Sequence, residues 1–101
     1  MNIKIIFTTT DSHKTANDIA EHLVNEKLSP CVQIIPKIQS FYEWKDNLIK
    51  TDELLVLIKT MPKNAYNCKK LILKYHNYDV PELIETEGKI LNDEYRSWFL
   101  K

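Results

Sequence analysis

The sequence predicts an α+β fold in which a four-stranded antiparallel sheet carries two helices on one face. Three observations lead there. Apolar residues form short alternating or continuous runs at four places, and they recur with helical spacing at two places of similar length. The order of these segments is β-α-β-β-α-β, with a short third helix at the end. At 101 residues the chain makes a single domain, residues 1–101, with room for a modest core.

Ile3 to Thr10 opens the chain as a strand: Ile3, Ile5 and Phe7 share one face, Ile6 lies on the other, and three threonines close it. Asp11 or Ser12 can cap a helix begun just after them. Ala16, Ile19, Ala20, Leu23 and Val24 then fall on one stripe, which predicts that helix over about 13–27. His13 and His22 lie on or near its polar side and read as solvated residues rather than ligands.

Pro30 ends the connection, and Cys31 to Ile35 is a second strand that Pro36 interrupts before Ile38 to Trp44 continues it. A proline cannot donate to a ladder, so this strand must bulge or lie at a sheet edge. Asp46-Asn47 supplies a turn toward Leu54 to Ile58, a continuous apolar run that calls for cover on both faces. The two strands read as one long hairpin, from about Gln33 to Leu57.

Pro62 suits a first helical turn, and Ala65, Cys68, Leu71, Ile72 and Tyr75 stripe a second helix. Tyr75-His76-Asn77-Tyr78-Asp79-Val80-Pro81-Glu82 is the corner that leaves it, with Pro81 biasing Val80 toward extended backbone. Leu83 to Thr86 is the fourth strand, Gly88 is the only glycine, and Asn92 can cap a last helix carrying Tyr95, Trp98 and Phe99. The whole is the ferredoxin-like split βαβ arrangement, a fold that does not by itself give function.

Composition excludes several classes. Fourteen basic and fourteen acidic residues cancel, which removes the usual footprint of a nucleic-acid or anionic-membrane binder. No apolar run approaches the roughly 20 residues of a membrane span, and the first residues lack signal-peptide features, so the expected place is the cytoplasm. Cys31 and Cys68 form no C-x-x-C pair and read as free thiols. With one arginine and one glycine there is no phosphate cradle, and no nucleophile stands beside a base in linear spacing; a non-catalytic protein is expected. Phe41, Tyr42 and Trp44 on the hairpin and Tyr95, Trp98 and Phe99 on the last helix sit where a small monomer has little core, so some should face another subunit.

The corner holds the candidate site. An imidazole with nearby carboxylates can hold Cu(II) or Zn(II), which nominates His76 with Asp79 and Glu82, and Cys31 as the next candidate. A second chain would supply further ligands. The structural alternative has His76 packing beneath Tyr78 and hydrogen-bonding the turn.

Cys31-Val32-Gln33-Ile34-Ile35-Pro36, Tyr42-Glu43-Trp44, Leu57-Ile58-Lys59-Thr60, His76-Asn77-Tyr78-Asp79-Val80-Pro81-Glu82 and Tyr95-Arg96-Ser97-Trp98 together resemble the CutA family of divalent-cation tolerance proteins, in order and over nearly the whole chain. The resemblance implies a subunit similar to the PII signalling proteins, a homotrimer built through the hairpin and sheet edges, and a copper- and divalent-metal-responsive role without established catalysis. Where the family corner reads His-Pro-Tyr this chain has Asn77, which implies a looser corner, and the family's Trp-x-Gly hairpin tip becomes Trp44-Lys45-Asp46. Some members bind copper through a first-strand cysteine and paired corner histidines; Thr8, Tyr75 and His76 stand at those positions. That implies a weak imidazole and carboxylate site for Cu(II) or another divalent cation, not required for folding. The alternative function is a PII-like sensor of a small anionic metabolite or protein partner at inter-subunit clefts.

Overall fold

The computed structural model describes residues 2–101 and places β1 at Asn2–Thr10, α1 at His13–Asn25, β2 at Cys31–Trp44 and β3 at Asn47–Thr60. A 3₁₀ turn at Pro62–Asn64 leads into α2 (Ala65–Tyr75), succeeded by β4 (Ile84–Lys89) and α3 (Asp93–Leu100). The sheet order is β2-β3-β1-β4 with every neighbouring pair antiparallel, as the split βαβ reading requires.

Strand alternation sends Ile6, Leu54, Val56 and Ile58 to one face, where Ala16, Ile19 and Leu23 of α1 and Cys68 and Ile72 of α2 complete the main core. Ile3 points the other way and packs with Ile90 and Phe99, so α3 sits against the start of β1 on the opposite face. Leu54, Val56 and Ile58 are buried, but Leu55 and Leu57 on that opposite face are only half-buried within one chain.

Local chemistry sets the joints. Ser12 is the N-cap of α1, its Oγ accepting the Thr15 N–H at 3.1 Å. The helix stops short of Lys27 because Lys27 is left-handed (φ 61°): Leu28 N–H donates to Leu23 O at 3.0 Å and Lys27 N–H to Val24 O at 3.1 Å, a Schellman closure. β2 is both an edge strand and bulged, its register shifting between Ile35 and Ile38 around Pro36 and a left-handed Lys37. The hairpin turn lies one residue earlier than the sequence suggests. Lys45 and Asp46 both have positive φ, 51° and 65°, the conformation of a two-residue type I′ turn, while Asn47 already pairs with Trp44.

β4 runs from Ile84 to Lys89, beginning after Leu83 and continuing past Thr86. Gly88 pairs with Ile3 inside it, and a Cβ there would stand 2.8 Å from Ile5 Cδ1. Space, not backbone conformation, asks for glycine.

β1 pairs with β3 only as far as Leu54, so Ile38–Trp44 and Asn47–Glu53 pair with each other alone. This two-stranded arm stretches the molecule to 47 × 25 × 22 Å and raises its radius of gyration to 14.4 Å. A compact chain of this length would have about 13 Å.

Candidate functional site

β1 ends in Thr8, Thr9 and Thr10, all buried against the corner at the end of α2. His76 N–H donates to Ile72 O at 3.0 Å as the last bond of the helix, and its backbone then turns extended. This carries the imidazole back over the end of β1. Nε2 lies 2.9 Å from Thr9 O and 3.1 Å from Thr8 Oγ1, and Nδ1 accepts the Tyr78 N–H at 3.0 Å.

A carbonyl can only accept, so Nε2 carries the proton and Nδ1 the lone pair, which fixes the neutral tautomer. Burial lowers the His76 pKa below its ordinary value, opposed by the Thr9 bond and by Asp11 and Glu53. Thr8 Oγ1 donates to Glu82 O at 2.7 Å, anchoring the far end of the corner to the same strand.

Asn77 is held from both sides. Thr10 Oγ1 donates to its Oδ1 at 2.6 Å, and its Nδ2 donates to Asp11 Oδ1 at 2.8 Å. The looser corner expected from losing a proline is therefore replaced by a side-chain clamp. The Tyr78 ring lies 5.0 Å from the His76 ring, and its hydroxyl donates to the buried Glu53 carboxylate at 2.7 Å. Burial, then Glu53, pushes the Tyr78 phenol well above its usual range.

Glu53 had no local signal to mark it; it lies one residue beyond the last β3–β1 pair, Leu54 with Thr10, which brings it beside a tyrosine 25 residues away. His22 is not simply solvated: its ring stacks on Tyr75 at 4.3 Å, joining α1 to α2.

The nominated ligands do not converge. The His76 lone pair is spent on the Tyr78 N–H, and Asp79 and Glu82 have exposed side chains on the same loop. Cys31 is half-buried at the start of β2, in register with Lys59 and, beyond it, Ile5. That is two strands and three residues from Thr8, roughly 10 Å in each direction. Among the described residues no three His, Cys, Asp or Glu side chains are grouped to hold a metal ion. As arranged in one chain, this donor set does not fit a tight metal centre. It fits a corner latch.

The family model described as "CutA1 divalent ion tolerance protein" matches residues 4–101. The chain belongs to this family. It is similar to the divalent-cation tolerance protein CutA of Thermus thermophilus, 34% identical over 95 residues that cover 94% of this chain and 92% of that one. The crystal structure of CutA1 from the psychrotrophic bacterium Shewanella sp. SIB1 superposes with a TM-score of 0.91 at 34% identity, covering 97% of this chain and 92% of that chain. A chloroplastic CutA of Arabidopsis thaliana is 32% identical over 94 residues, 93% of this chain and 52% of its own length. The chain thus spans about half the length of several curated CutA relatives. Among its described residues no helix is long and apolar enough to cross a membrane.

Proposed function

We propose that this CutA1 family member serves divalent-cation tolerance as a non-catalytic cytoplasmic homotrimer that binds Cu(II) or a related cation weakly. The family match over residues 4–101 carries the reading, and the Thermus relative bears the divalent-cation tolerance name over almost the same span. The arm supports the oligomer: Phe41, Trp44 and Leu48 are 61%, 59% and 78% exposed, and β2 and β4 are open sheet edges.

Within that reading the cation meets His76, with Asp79 and Glu82 as carboxylate partners from the same loop or a neighbouring chain. Ligation costs the Tyr78 N–H bond to Nδ1, which is why the affinity is weak. Acid abolishes it, since a protonated imidazole has no lone pair to offer. Cys31, outside the corner, is the reserve ligand.

Calorimetric titration with Cu(II) at neutral pH tests this on wild type, His76→Gln and an Asp79→Asn/Glu82→Gln variant, each first shown to keep its circular dichroism. Loss of binding in both variants is expected. Equal affinity in all three would move the site away from the corner.

A further inference from the structure

The solvent face of α2 carries Lys69, Lys70 and Lys74, with Lys63 just before the helix, and residues 61–75 contain no carboxylate. Helical spacing places Tyr66 and Leu73 on one line, with Lys69 on one flank and Lys70 and Lys74 on the other. Tyr66 is 66% and Leu73 46% exposed. Among the described residues these lysines make no ion pair, although the chain carries fourteen acidic residues. Lys70 and Lys74 instead lie over the rings of Tyr66 and Tyr75, at 5.6 Å and 5.4 Å. A neutral chain thus presents a basic face on α2, with Glu26 at the end of α1 lining the pocket beside Lys70 and Lys74 but not ion-paired with either.

Beside that face, between α2 and β4, runs an open groove of about 640 Å³. Tyr66 and Leu73 form one wall, Leu83 and the start of β4 the other, and Ile6 and Ala65 the floor; the Ile84 side chain, opposite Phe7, points to the other sheet face. Lys69 stands on its basic rim, and Glu85 on the opposite rim is engaged by Lys4 at 3.3 Å.

We infer that this face docks an acidic peptide segment of a partner protein, with carboxylates along Lys69, Lys70 and Lys74 and one bulky apolar side chain seated between Leu73 and Leu83. Charge complementarity selects an acidic partner. The concave, apolar groove selects a protruding side chain over a flat lipid surface, and a single well-exposed tyrosine does not make the succession of stacking platforms that a nucleic-acid strand uses.

The probe is a fluorescein-labelled peptide of glutamates around one phenylalanine, titrated with the full chain and monitored by anisotropy. Saturable binding is expected. It should weaken roughly tenfold in Lys69→Glu/Lys70→Glu/Lys74→Glu, the scale that three exposed ion pairs supply, and weaken again when salt rises from about 0.05 M to about 0.5 M. Leu73→Ser, or a peptide lacking the phenylalanine, should also bind more weakly, while Lys50→Glu on the arm should not matter.

Several results would overturn the proposal. They are absence of saturation, equal affinity in the triple variant, or co-sedimentation with phosphatidylserine vesicles in place of peptide binding. A mass that rises at low salt without peptide would assign the face to a second copy of the chain.

Discussion

His76 uses one ring nitrogen to donate and the other to accept, so a second proton turns the acceptor into a donor aimed at the Tyr78 N–H. The folded pKa is lowered, with burial as the leading cause. The folded state therefore resists a proton that the unfolded chain takes up near about pH 6.5, so stability is full above that value and declines as pH falls through it toward the lower folded pKa. Urea midpoints measured between neutral and mildly acidic pH should fall for wild type more steeply than for His76→Gln, which cannot titrate. Parallel slopes would mean that the imidazole is not held neutral by the corner. Asn77 belongs to the same scale. Thr10→Val removes the donor to Asn77 Oδ1 and the acceptor of the Ser12 N–H, and should cost about 1–3 kcal/mol in the denaturation midpoint.

At the level of elements, β1 and β4 fit because Gly88 leaves room for Ile5. Gly88→Ala should destabilise by about 0.5–1.5 kcal/mol, since the new methyl meets Ile5 Cδ1 at 2.8 Å and the end of that side chain must turn aside. Ile5→Val deletes that carbon, so the double variant should recover part of the loss, and thermal melts of the cycle would show it. Strictly additive losses would remove the clash from the explanation. Nothing in the local sequence pattern announced this contact, whereas much of the rest was legible. The stripe Ala16, Ile19, Leu23 and the stripe Ala65, Cys68, Ile72 fixed both helices and their buried faces. Pro36 marked the bulge because a missing N–H leaves few alternatives. The turns were harder to place. Lys27, Lys37 and Lys45 hold left-handed positions that glycine or asparagine usually fills, and lysine carries no turn signal. The corner was legible as a place and its histidine as its centre, but Thr9, Thr10 and Glu53 reach it through strand pairing that spans tens of residues. Ligand convergence depends on that same pairing, which is why Cys31 could be nominated from sequence and then found on another part of the sheet.

For the molecule as a whole, the arm is the feature a solitary chain does not explain. A two-stranded ribbon has no core of its own and is marginal in water, yet this one projects from the body with Phe41, Trp44 and Leu48 exposed. Leu55 and Leu57 on the outer sheet face are half-covered as well. In the proposed trimer, burying roughly 400 Å² of apolar surface per subunit at about 25 cal/mol per Å² contributes about 10 kcal/mol before association costs, comparable to the stability of a whole small domain. Folding and assembly are then coupled, and stability depends on concentration. Light scattering at micromolar concentration should give three times the 12.0 kDa chain mass, and the reversible melting temperature should rise with protein concentration. Trp44→Ala should shift both toward the monomer, whereas Asn17→Ala on the solvated side of α1 should shift neither. A monomer mass with a concentration-independent melt would leave the arm to a different partner and remove the trimer from the account of this protein's stability.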